Sequence, residues 1–286
     1  MSNQSIYATP QEVTNINECS FYHTMDIPGH GVVEGLFDLR KGVRNYLGNV
    51  DFKGKRVLEL GTTDGFLCFY MESQGAEVVA YDLSESYLWD IVPLYNIDYG
   101  LRVAEFKETS RKINNSYWFS HRAFQSNAKM VYGTINDIPK GIGMVDISTF
   151  GAILQHVRDP FLALQNGLRL TKETVIITEH HSGDLLSRVT TVLGRSLPNA
   201  RIILDKLHFA AWLSDLFQSP QMKFLPCPRN PDTGTWWDLT PKILIRMIAV
   251  LGFEEVKLIY HWQRFRNRPI WLYTIIGHRT KQYYSY

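Results

Sequence analysis

Four side-chain types in this chain stand at spacings that could do chemistry. Glu59-Leu60-Gly61-Thr62-Thr63-Asp64-Gly65 is an E-x-G-x-x-x-G run, and Asp82 follows about twenty residues past its first glycine. Gly61 allows a sharp turn at a strand end, and Gly65 allows close approach of a ligand to the backbone. A carboxylate at the place of Asp82 can accept hydrogen bonds from both hydroxyls of a ribose. A dinucleotide site needs G-x-G-x-x-G, so that a pyrophosphate can rest on a helix N-terminus. Here Asp64 would set a like charge against that group, so the run suits a ligand that carries a ribose without phosphate. Histidine is the side chain best matched to proton removal near neutral pH. Of the nine, His156 lies after one strand, and His180 and His181 lie after the next. Packing at His156 and solvation of His180 and His181 stand beside that role. Glu179, His180 and His181 with His208 could hold a metal, but no spacing enforces it and no metal is expected.

These residues need a scaffold that gathers them at one sheet edge. Val57, Leu58 and Leu60 form a short apolar strand. A helix is expected from about Gly65 to Ser73, ended by Gln74-Gly75, and a second strand from Glu77 to Asp82. That is half of a βαβ unit. Residues 84–128 read as mixed and helical in parts, with Trp118, Phe119, Ala123 and Phe124 at helical spacing. Further strands are expected at 129–132, 144–150 and 174–179, the last a β-branched run suited to a sheet covered on both faces. Asp159-Pro160 opens a helix. Another spans about Pro241 to Leu251, and two strands at 255–262 and 270–278 flank an Arg-rich turn. Residues 1–50 read as a cap, with a helix near Phe37 to Leu47. Residues 182–239 exceed an ordinary connection and read as an inserted lid, helical near Leu185–Leu193 and Lys206–Phe217.

Composition bounds the rest. The 286 residues are 45% hydrophobic and 20% charged, as in a soluble globular protein, with a formal net charge of +2. That balance makes nucleic acid an unlikely partner without excluding a local basic cluster. No apolar run is long enough to span a bilayer, and the first seventeen residues lack signal-peptide order. Three scattered cysteines form no disulfide or zinc pattern, so the cytoplasm is the expected compartment.

The glycine run with Asp82 resembles motif I of class I S-adenosylmethionine (SAM) methyltransferases. YHTMDIPGHGVVEGLFDLR, that motif and GAILQHVRDPFLAL together resemble a subgroup containing the wobble-uridine oxyacetate-forming tRNA enzymes (DUF1698-type) and natural-product and glycan-associated methyltransferases. The resemblance covers most of residues 20–180 and returns from Trp236 to Phe253. It implies a Rossmann-like α/β fold, with a seven-stranded, mostly parallel sheet and a reversed last strand, an N-terminal cap (1–50) and a SAM-binding domain (51–286) with the lid inserted. It implies that His23, Glu59, Gly61, Thr62, Gly65, Asp82, Leu83, Thr134, Ile135, Asn136 and Ile153 bind SAM. Within that set His23 would pack near the cofactor, and Thr134 stands where many relatives carry an acid for the adenine amino group, leaving Asn136 or a backbone carbonyl to do that work. Tyr22, Trp236 and Trp237 would border the acceptor, although core packing explains the tryptophans equally well. His156, His180 and His181 are the candidate bases. Arg264, Arg266 and Arg268 read as a solvated turn or a small phosphate contact. The expected activity is O- or N-methylation of a small molecule; the alternatives are a tRNA-modifying enzyme and a SAM-binding scaffold without turnover. The sequence does not name the oligomeric state.

Overall fold

The computed structural model describes residues 5–181, 219–230 and 232–282. The chain's strands begin with a short antiparallel ribbon, β1 (Met25–Ile27) and β2 (Gly31–Val33), followed by β3 (Phe37–Asp38) and the single turn α1 (Val43–Tyr46). Then come β4 (Arg56–Leu60), α2 (Phe66–Ser73), β5 (Glu77–Asp82), α3 (Tyr99–Ala123), β6 (Lys129–Tyr132), β7 (Val145–Gly151), α4 (Pro160–Leu168) and β8 (Thr171–His180). The remaining elements are β9 (Met222–Phe224), β10 (Trp237–Leu239), α5 (Pro241–Val250), β11 (Glu255–Phe265) and β12 (Arg268–His278).

The main sheet runs β3-β11-β12-β8-β7-β4-β5-β6. The five strands from β8 to β6 pair in parallel, and β12 is antiparallel to both β8 and β11. This is the doubly wound sheet with a reversed strand that the resemblance implies, with one correction. The sheet has eight strands rather than seven, because β3 adds to its edge through Phe37 opposite Phe265 and Asp38 opposite Arg264.

Alternation along each strand divides the core between the two sheet faces. Val57, Val78, Met130 and Ile147 pack with Phe69, Met71, Tyr117 and Trp118 of α2 and α3, and with Met25, Ile27 and Phe37 from the N-terminal region. Their strand neighbours Leu58, Val79, Val131 and Phe150 pack on the other face with Leu164 and Leu168 of α4 and Leu244 and Ile248 of α5. Burial of each such side chain contributes about 1.5–3 kcal/mol.

Two helix expectations change. The stretch 37–47 is not a helix: Phe37 and Asp38 extend along β11, Arg40 returns to Asp38, and only Val43–Tyr46 coils. Residues 99–123 form one long helix rather than scattered pieces. Asp98 caps it, its Oδ1 accepting from Leu101 N at 3.0 Å. Its period is hard to read because only the second half is deeply buried (Tyr117, Trp118, Phe119), whereas Tyr99 and Leu101 are exposed. The last two strands are longer than expected and meet at Arg266-Asn267, both with positive φ (47° and 60°), as a tight hairpin turn requires.

The expected helices at Leu185–Leu193 and Lys206–Phe217, and His208, lie outside the described residues. Of the expected lid, the described part pairs β9 with β10, setting Phe224 opposite Trp237. Among the described residues, no helix is long and apolar enough to cross a membrane.

Candidate active site

The parallel strands β4 to β8 end at one edge, and the loop after β4 dominates it. Gly61, Thr63 and Gly65 all take positive φ (81°, 52° and 87°). Gly61 N and Thr62 N both donate to Tyr81 O, at 2.9 and 3.3 Å, which ties the loop to β5. A Cβ on Gly61 would stand 2.9 Å from Ile153 Cδ1, so Ile153 touches the loop from the β7 side. Gly65 begins α2, and a Cβ there would stand 2.4 Å from the Phe69 ring and 2.9 Å from Tyr117. The space on the Cβ side of Gly65 is therefore filled by the protein's own rings.

Three carboxyl groups cluster at this loop. Glu59 is 2% exposed. Thr62 Oγ1 donates to its Oε2 at 2.6 Å, while Oε1 is buried without a hydrogen-bond partner. Burial, helped by Asp82 and Asp64, pushes the Glu59 carboxyl up to about 8. Asp82 Oδ2 accepts from Thr63 N at 2.6 Å and Oδ1 from Leu83 N at 2.7 Å. Those bonds favour its charged form, yet burial dominates and raises it to about 6. Asp64 does not face a ligand phosphate as the sequence suggested. It is fully buried and turned toward the N-terminal region, where its Oδ2 accepts from His23 N at 2.6 Å and its Oδ1 meets His23 Nδ1 at 2.7 Å. The His23 ring stacks between Phe37 and Phe66, with centroids 5.9 and 5.4 Å away.

The loop after β6 is held by its backbone. Thr134 O accepts from the Tyr81 hydroxyl at 2.8 Å, and the carbonyls of Ile135 and Asn136 both accept from Asn166 Nδ2. The Asn136 side chain is exposed and Ile135 is buried. Leu83 is half-buried, and its carbonyl accepts from Asn114 Nδ2.

The candidate bases sit in different settings. His156 is exposed, and its Nδ1 lies 2.7 Å from Gly234 O, so that nitrogen donates. Desolvation by surrounding atoms lowers its pKa. His180 ends β8 opposite Leu272, and desolvation, with His181 adding to it, lowers its pKa. His181 is buried, with its ring edge-on to Tyr260 and Tyr273. Both tyrosines belong to the face covered by α5, opposite the face where Phe37 packs.

The aromatic residues expected around an acceptor are anchored. Trp236 is buried, donates its indole N–H to Asp90 O and lies under the Arg158 guanidinium. Trp237 donates to Arg158 O at 3.1 Å and packs against Phe224. Tyr22 is half-buried, edge-on to His23 at 4.9 Å, and burial raises its phenol to about 12.

Sequence reasoning named Asp64 and Glu179 without the roles the fold gives them, and missed Asn166. Asp64 carried a visible signal in the glycine run, but only the fold supplies His23 as its partner. Asn166 lies inside α4 and gave no signal. Glu179 ends an apolar strand; its Oε1 accepts from Leu154 N at 2.7 Å, and burial raises its carboxyl to about 8. Among the described residues, no cluster of three or more His, Cys, Asp or Glu side chains could hold a metal. Arg264, Arg266 and Arg268 are exposed at the β11–β12 turn.

No protein-family model matches the sequence, and no curated protein matches it at a significant level. Solved structures with a similar chain path include magnesium protoporphyrin IX methyltransferase from Synechocystis PCC 6803 with bound S-adenosylhomocysteine (SAH), at 11% identity over 85% of this chain and 82% of that one, with a TM-score of 0.49. The N-terminal domain of EvdMO1, crystallised with SAH and D-fucose, is 17% identical over 90% of each chain, with a TM-score of 0.47. A SAM-dependent methyltransferase from Methanosarcina mazei is 15% identical over 84% of this chain and 97% of that one, with a TM-score of 0.48.

Proposed function

We propose that this chain is a SAM-dependent methyltransferase of the class I type, acting at oxygen or nitrogen of a small-molecule acceptor of natural-product or glycan kind. The observation that carries the reading is the buried carboxyl group of Glu59 near the end of β4, whose Oε1 lacks a partner, beside the loop that Asp82 of β5 holds through Thr63 N. A pyrophosphate would meet the carboxyl groups of Glu59 and Asp82 there. A ligand bearing an ammonium and a sulfonium would instead give the orphaned oxygen a donor and favour its ionised form. The residues therefore fit SAM.

Bound SAM supplies a methyl group activated by positively charged sulfur. Glu59 Oε1 accepts from the ligand's amino group, with Gly61 and Thr62 bordering its amino-acid portion. Asp82 accepts from the ribose hydroxyls: each of its oxygens spends one lone pair on Thr63 N or Leu83 N and keeps another. Leu83 and Ile153 flank the adenosine, and the 134–136 loop borders the base. Tyr22, Trp236 and Trp237 line the acceptor side, and residues 1–50 act as a cap, with part of 182–239 as a lid. His156, His180 and His181 are candidates to take the acceptor's proton, which general-base catalysis makes worth about 10²–10⁴-fold. The setting proposed is cytoplasmic.

Titration calorimetry with SAM and with NAD tests the cofactor. Binding of SAM is expected, and tight NAD binding without SAM binding refutes the reading. Labelled SAM with small-molecule extracts then identifies the acceptor class. Bulk tRNA is the control: submicromolar binding that weakens steeply with salt, and that neutralising Arg264, Arg266 and Arg268 abolishes, would move the acceptor to RNA.

A further inference from the structure

His23 and Asp64 form a buried, well-defined pair suited to handling a proton. They lie 41 residues apart in sequence and meet only on folding. Asp64 is fully buried, and its two oxygens are both directed at His23: Oδ2 to the backbone N–H, Oδ1 to ring Nδ1. An ionised carboxylate accepts only. The proton of the neutral ring therefore sits on Nδ1, which leaves Nε2 with its lone pair. Phe37 and Phe66 stack on the two sides of the ring, and Tyr22 meets it edge-on, so it cannot rotate away. Nε2 is not among the buried polar atoms that lack a partner, and the side chain keeps 6% of its surface exposed. Thr63 Oγ1 approaches Nδ1 at 3.4 Å, and Thr63 N is held by Asp82. The ring thus stands against the same loop that carries Glu59 and Asp82. The His156 ring faces a carbonyl through Nδ1, and the His181 ring packs on the opposite sheet face.

We infer that His23 is the general base of the methyl transfer and that Asp64 is its positioning residue. The inference rests on the methyltransferase reading above. As the acceptor oxygen or nitrogen forms its bond to the methyl carbon, the carbon–sulfur bond breaks and its electron pair stays on sulfur, giving a neutral thioether. The acceptor's proton passes to His23 Nε2. Asp64 then balances the imidazolium, which later releases the proton to solvent. The charged and titratable groups around the ring are Asp64, with Asp82 behind Thr63 and Glu59 beyond them. Tyr22 adjoins it, influenced in turn by Arg266 of the hairpin turn and Glu179 of β8.

Two readouts test the inference. The first is nitrogen NMR of labelled histidine in the wild-type protein, which needs no acceptor and no variant. The neutral His23 ring is expected as the Nδ1–H form with bare Nε2, and Asp64→Asn, which can itself donate, should shift it toward Nε2–H. A wild-type ring in the Nε2–H form would overturn the proposal, since the base nitrogen would already be loaded. The second is turnover with SAM binding measured alongside. His23→Gln should lose about 10²–10⁴-fold in kcat at saturating SAM, and should lose the acidic limb of the kcat/KM–pH profile. Added imidazole should restore part of the turnover of His23→Ala. A His23→Gln enzyme with wild-type kcat and an unchanged acidic limb also overturns the proposal. A wild-type protein that binds no SAM refutes the methyltransferase reading instead, and the tautomer experiment still decides the geometry of the pair.

Discussion

Binding of SAM should release close to one proton at pH 7, and Glu59 should be its source. Burial holds that carboxyl at about 8 and Asp82 at about 6 in the free protein. At pH 7 these values leave Glu59 roughly 0.9 protonated and Asp82 roughly 0.1. A ligand ammonium at the unpartnered Oε1 favours the charged form of Glu59, and a ribose favours the charged form of Asp82, so both protons leave. Affinity should therefore rise by up to about fiftyfold between pH 6 and 8 from the Glu59 step alone, because a group held at about 8 is ionised to about 1% at pH 6 and to about half at pH 8. The assay is calorimetry in buffers of different ionisation enthalpy, where the slope of observed enthalpy against buffer enthalpy counts the protons. Glu59→Gln should flatten that slope and weaken SAM binding by about 10–150-fold, the loss of one charge-assisted bond worth about 1.5–3 kcal/mol. At pH 9 the release should nearly vanish in the wild type as well. A slope of zero at pH 7, or a full slope in Glu59→Gln, would refute the reasoning.

Other perturbations separate binding from folding. Asp82→Asn removes one acceptor of the bidentate pair, so SAM affinity should fall by roughly 10–100-fold in a titration. Gly65→Ala should lower stability by about 2–5 kcal/mol, combining left-handed backbone strain with overpacking against Phe69 and Tyr117; a thermal melt should drop by roughly 5–15 °C. Burial pushes the folded Glu179 carboxyl up to about 8, well above the ordinary range for glutamate, so the native state binds the extra proton between that range and about 8. Its contribution to stability is thus most favourable at the acidic end of that window and is lost as pH rises toward 8. Compared with Glu179→Gln, the wild-type melting temperature should decline more steeply from pH 5 to 8, and parallel curves would remove Glu179 as the cause.

What the sequence disclosed follows from how local each signal is. Strand β4, the turn at Gly61, helix α2 and strand β5 lie within thirty residues and carry their own apolar pattern and punctuation, so their existence and order were readable. Asp159 as the cap of α4 was readable too: Asp159 Oδ1 does accept from Leu162 N. Strand β3 was not, because two residues have no period, and their extended form depends on pairing with Phe265 and Arg264. The length of α3 was hidden because half of it is solvent-facing. In the site, Glu59 and Asp82 stood out by spacing. The role of Asp64 did not, because a carboxylate in a loop reads as exposed unless its distant histidine is known. The unpartnered state of Glu59 Oε1 is likewise a property of packing and has no sequence signature.

The attachment of β3 to β11 has a consequence for how the chain assembles. Gly42 O accepts from Gln263 Nε2 across 221 residues, and Tyr22 and Phe37 both pack on Phe265. Met25, Ile27 and Phe37 are nonetheless members of the same core as α2 and α3. During synthesis the N-terminal region therefore emerges with apolar side chains whose docking edge, the β11–β12 hairpin, follows it by 221 residues as measured from Gly42 to Gln263. Loop closure over such a span is slow, and the waiting surface is open to wrong partners in the meantime. Phe37, and His23 bridged to it, would thus wait on that hairpin to reach their places, and a nascent chain arrested before residue 265 would hold the glycine loop without that support.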